Sequence, residues 1–84
     1  MMTNVNKFKY SISIQWSNED ECFVVRLPDF KDLMQPCTHG ETYDEAMRNA
    51  QEVLELLIES AQQNGEALPK PHVWIDSRDL AEIA

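Results

Sequence analysis

From Tyr43 to Asn64 the chain repeats apolar residues at spacings of three and four: Ala46, Met47, Ala50, Val53, Leu54, Leu57, Ile58 and Ala61. That is one stripe on an amphipathic helix, with Asp44, Glu45, Arg48, Glu52, Glu55, Glu59 and Gln62 on the other side. Such a helix takes up about a quarter of an 84-residue chain and spans roughly 30 Å. Its polar face leaves no apolar run long enough to span a membrane, and its other face is too apolar to stand alone. The rest of the chain must supply the surface that covers it.

The covering surface is legible upstream. Residues 8–16 alternate strictly, with Phe8, Tyr10, Ile12, Ile14 and Trp16 on one face and Lys9, Ser11, Ser13 and Gln15 on the other. Period two over nine residues predicts a half-buried strand. A polar turn, SNEDE, follows. In "CFVVRLP", Phe23, Val25 and Leu27 oppose Cys22, Val24 and Arg26. The two strands read as an antiparallel hairpin, which Pro28 ends because it lacks an N–H. Phe30, Leu33 and Met34 are expected to cap one end of the core. "CTHGE" is expected to form a short third strand, and "HVWID", residues 72–76, a fourth. "SRDLAEIA" reads as a closing helical turn capped by Ser77. The predicted class is α+β: a small antiparallel sheet of three to four strands packed against one long helix. It is one domain over residues 1–84, with its core in 8–71 and a short strand and tail in 72–84.

The link into the helix, "THGETYDEAMRNA", gathers His39, Glu41, Asp44 and Glu45 and so presents itself as a site. Capping accounts for most of it. Thr42-Tyr43-Asp44-Glu45 fits a capping box, in which Thr42 Oγ1 accepts from the Glu45 N–H and the Glu45 carboxylate returns to the Thr42 N–H. Asp44 and Glu45 also meet the positive end of the helix dipole. Gly40 fits a close backbone approach or a positive φ. Gly65, followed by Pro69 and Pro71, closes the helix. A metal reading would need Cys37, His39 and Glu41, or His72, but one Cys-x-His without a matching pair is not a zinc pattern. An acid/base reading lacks a nucleophile and a phosphate-cradling loop. No catalytic residue, metal or cofactor is assigned, and His39 is left without a structural role.

The chain carries 15 acidic and 7 basic residues, a net charge of −8. That sign opposes nucleic-acid binding, which must neutralise phosphate, and suits a basic partner. No segment reads as a signal peptide or membrane span, so a cytoplasmic location is expected. Cys22 and Cys37 read as reduced thiols. At least one sheet edge is expected to stay open, which favours pairing with another copy, so a homodimer or higher homo-oligomer is expected. Trp74 alternates out of phase with Val73 and Ile75. Interfaces favour tryptophan, yet burial within the monomer is its commoner fate.

A first strand ending in an aromatic, an acidic turn, "FVVRLPDF", "HGETYDEAMRNAQEVLELLIESA" and "LPKP" together resemble the HicB-like antitoxin domain. The resemblance covers about residues 8–71. It rests most on Pro28, Gly40, Thr42, Glu45, Ala46 and Ala50, which it treats as fold determinants. It implies a β-β-β-α-β domain, a partial ribonuclease-H-like fold, that self-associates. It further implies a non-catalytic antitoxin of a type II toxin–antitoxin system, blocking a small basic HicA-type toxin that cleaves mRNA. Many such antitoxins add a C-terminal DNA-binding domain, and the dozen or so residues after Pro71 are too few for one. Stand-alone domains of this kind also occur as interaction or regulatory modules without a toxin. The candidate partner contacts are the wet sheet face, Ser13, Gln15, Val24 and Arg26, together with Trp74.

Overall fold

The computed structural model describes residues 5–76. A 3-10 turn at Val5–Phe8 leads to β1 (Ser13–Ser17), β2 (Cys22–Arg26), β3 (Thr38–Gly40) and the helix α1 (Tyr43–Asn64). The strands form one antiparallel sheet in the order β1-β2-β3. The class is α+β, β-β-β-α, with the helix laid across one sheet face.

The register explains where the first strand begins. Ser13 pairs with Arg26 and Ser17 with Cys22. Continued backwards, that register would set Ser11 opposite Pro28, which has no N–H to give. Pairing stops there, and the Ser11 N–H donates instead to Asp29 Oδ2 at 2.9 Å. The alternation from Phe8 to Ile12 is therefore not strand: Phe8 ends the 3-10 turn and Lys9 has φ 59°. Phe8, Tyr10 and Phe30 make a row of rings instead, with centroids 6.3 and 4.8 Å apart.

Helix and sheet meet through small residues. Ala46, Ala50, Leu54, Ile58 and Ala61 are the buried line of α1, and Val25 and Leu27 are the fully buried residues beneath. Gly40 shows why β3 and the helix start lie so close. A Cβ placed there would sit 2.4 Å from the Ala46 nitrogen and 2.7 Å from its Cα, so only glycine fits. The positive-φ alternative does not apply to Gly40; it applies to Gly65, whose φ of 69° ends the helix. The Glu66 N–H closes that end on the Ala61 carbonyl at 2.9 Å.

The N-terminal cap forms with one change. The Glu45 N–H donates to Thr42 Oγ1 at 3.0 Å, but the Glu45 carboxylate accepts from the Glu41 N–H at 3.1 Å rather than from Thr42. The return bond reaches one residue further, because the chain turns into the helix directly after Gly40. The side-chain amide of Gln35 completes the end of β2. It accepts from the Leu27 N–H (3.1 Å) and donates to the Leu27 carbonyl (2.9 Å), as a neighbouring strand would.

Three further expectations change. Residues 72–76 form no strand: no sheet edge among the described residues takes them, and their leading end is held by Asp29 instead. Met34 is exposed; Phe30 and Leu33 are half-buried where it was expected to join them. Trp74 is also exposed rather than buried in the monomer, because its segment joins no strand of the sheet. The helical turn expected at Ser77 lies outside the described residues.

Candidate binding surface

The sheet face away from α1 is built by alternation. Paired residues in an antiparallel sheet point to the same side. Val25 faces the helix within the buried cluster, so Val24 and Arg26 face out. Ser13 pairs with Arg26, and Gln15 with Val24, whose other neighbour is His39. Gln15, Val24 and His39 therefore form one row across all three strands. Four of the five candidate contacts, Ser13, Gln15, Val24 and Arg26, are thus brought onto one face. Trp74 belongs to a separate segment.

His39 gains a role from this row. It sits at the free edge of β3, and its carbonyl accepts from Asn49 Nδ2 at 2.7 Å. That bond occupies an acceptor an edge strand would otherwise leave open. The side chain lines a depression of about 600 Å3 bordered by Asp20, Glu21, Glu41 and Glu45. Four carboxylates and no lysine or arginine border it. Chemically, the depression offers acceptors and negative charge around an apolar floor at Val24, while Arg26 adds one cation further along the face.

Cys37, His39 and Glu41, the residues of the metal reading, all border this depression without forming a ligand set. Cys37 packs against the cluster of Val25, Ala46 and Ala50, and its thiol donates to the Val25 carbonyl at 3.6 Å. Burial pushes the Cys37 thiol pKa up, away from thiolate. His72 is engaged elsewhere, with Asp29. Among the described residues, no three potential ligands are grouped to hold an ion. Both cysteines are free. Cys22 lies one residue before the Phe23–Gly40 pair and Cys37 one beyond the Val25–Thr38 pair, so roughly 13 Å of ladder separates them. A disulfide cannot span that distance.

Asp29 is the residue that sequence reasoning missed. It is a buried ionisable side chain, and every bond it makes holds a distant segment. Oδ2 takes the Ser11 N–H (2.9 Å); Oδ1 takes the His72 N–H (3.1 Å) and His72 Nδ1 (2.7 Å). An ionised carboxylate only accepts, so Nδ1 carries the proton. Burial by itself would raise the Asp29 pKa. The Ser11 N–H, the His72 ring and the His72 backbone N–H outweigh it and hold the carboxyl below its ordinary value. Nearby, the Tyr10 hydroxyl donates to the Pro69 carbonyl at 2.6 Å, and burial with the Asp29 charge pushes its pKa up. Asp29 thus ties the chain before β1 to the chain after α1. The signal in the sequence was the Pro-Asp step, which read only as a strand end.

The structure is thus a small α+β domain, a three-stranded antiparallel sheet under one long helix, with an outward polar face and a trailing segment tied to the body by Asp29. The family comparison says where such a domain belongs. The model for the HicB-like antitoxin of bacterial toxin–antitoxin systems matches residues 10–81, and the chain belongs to that family. Comparison with curated proteins and with solved structures gave no match. No helix among the described residues is long and apolar enough to cross a membrane.

Proposed function

We propose that the chain is a non-catalytic antitoxin module that sequesters a small basic mRNA-cleaving toxin of the HicA type, acting in the cytoplasm as a homodimer. Membership of the antitoxin family supports a toxin partner in general. The observation that carries the finer reading is the outward row Gln15–Val24–His39, whose Val24–His39 end lines a depression bordered by four carboxylates. A basic ribonuclease presents cations where it holds RNA. An acidic surface draws such a partner in and orients it, while contact with the apolar floor at Val24 supplies the affinity. Ser13, Gln15, Val24 and Arg26 are the proposed contacts.

The test is co-expression with the product of the adjacent gene. The chain is expected to co-purify with a small basic protein and to relieve its growth arrest. If the neighbour is not basic, does not bind and arrests growth regardless, the reading fails.

A further inference from the structure

Residues 73–75 expose three apolar side chains in succession: Val73 at 54%, Trp74 at 90% and Ile75 at 45%. Both faces of residues 73–75 are at least partly exposed, because the exposed residues fall on both parities. His72, just before it, is fixed to the body. Its N–H donates to Asp29 and its carbonyl accepts from Ser11 Oγ at 3.4 Å. In an extended chain, residues two apart direct their backbone groups the same way. Paired as a strand, the segment would direct the groups of Val73 and Ile75 away from the body, opposite to those of His72.

We propose that His72–Asp76 is the strand by which two copies of this chain pair, antiparallel and centred on Trp74. The sequence His-Val-Trp-Ile-Asp is self-complementary in that register. Trp74 falls opposite Trp74 of the second copy, Val73 opposite Ile75, and His72 opposite Asp76. The two Val73–Ile75 positions become hydrogen-bonded pairs through the outward backbone groups. The central tryptophans form the closer, non-hydrogen-bonded pair. Asp29 is the positioning residue, because it holds the leading end of the strand.

Charge favours a second copy over a basic partner here. Two bodies of net charge −8 repel, so they meet best where acidity is least. The depression beside this segment has Lys31 and Lys70 against Asp29 and Asp32, whereas the one at His39 has four carboxylates and no lysine or arginine. The acidic face is thereby left to the toxin. This pairing rests on the self-association proposed above and is independent of the toxin's identity.

Sedimentation of the full chain tests it. The pairing surface is smaller than the ~800 Å2 per partner of a standard interface, so samples should extend to about 100 µM. Wild type and Trp74→Phe are expected to dimerise. Trp74→Lys, which sets two cations face to face, is expected to be monomeric with an unchanged circular dichroism spectrum. In a Cys22→Ser, Cys37→Ala background, Val73→Cys with Ile75→Cys is expected to oxidise to a covalent dimer. A wild-type monomer at every concentration overturns the proposal. So does a Trp74→Lys dimer, which would leave self-association standing but through another surface. Toxin binding, measured separately, bears only on the antitoxin reading.

Discussion

Asp29 and His72 lie 43 residues apart in sequence, yet Oδ1 of one and Nδ1 of the other are 2.7 Å apart. The aspartate side chain is 1% exposed and the histidine side chain 74%. One buried charge therefore fixes an otherwise solvated segment to the domain. Leaving part of such a carboxylate unmatched is costly, because water cannot replace the lost partners.

Asp29→Asn keeps the shape but turns one acceptor into a donor facing an N–H. We expect a loss of about 2–3 kcal/mol. For a chain of this size that lowers Tm by roughly 10–20 °C, measurable by thermal melting.

The same residue sets an acid limit. Its folded pKa lies below the unfolded value, so its contribution is present above the unfolded pKa and is lost as pH falls through the folded one. Stability should decline on acidification below about pH 4. In Asp29→Asn that part of the slope should vanish; denaturant titrations across pH read both. Tyr10 works the other way. Its raised pKa makes its contribution present below about pH 10 and lost as pH rises through the folded value.

The two glycines should fail differently. Gly40→Ala forces a Cβ into helix backbone that has no flexible end to move, and is expected to cost about 3 kcal/mol or more. Gly65→Ala meets nothing within 4 Å and suffers only from its φ of 69°, at about 1 kcal/mol. Chemical denaturation ranks them, and equal losses would contradict the close packing of β3 on α1.

The helix, the hairpin and the cap were legible because they are local. Ala46 to Ala61 declare their face by spacing, and Thr42 and Glu45 by their separation. The outward face followed from alternation in Gln15 and Val24. What escaped depends on distance. Nothing around Asp29 in sequence names Ser11 or His72 as its partners, so its burial had no local sign. The first strand was overextended to Phe8 because alternation does not report whether a partner strand exists, and Pro28 removes it. Residues 72–76 look like a strand for the same reason: their composition is right, but within the described residues no sheet edge takes them.

On the binding face, Val24→Lys places a cation in the middle of the Gln15–Val24–His39 row. Val24 points away from the helix, so Tm should change little. Affinity for a basic toxin should fall by at least about tenfold, since like charges meet at the contact. Isothermal titration against the purified neighbouring gene product measures it.

The most direct test is an RNA cleavage assay with that gene product, in the presence and absence of this chain. The account predicts that an equimolar amount of wild-type chain leaves the RNA intact, and that Val24→Lys protects it poorly. RNA cut equally fast with and without the wild-type chain would contradict it.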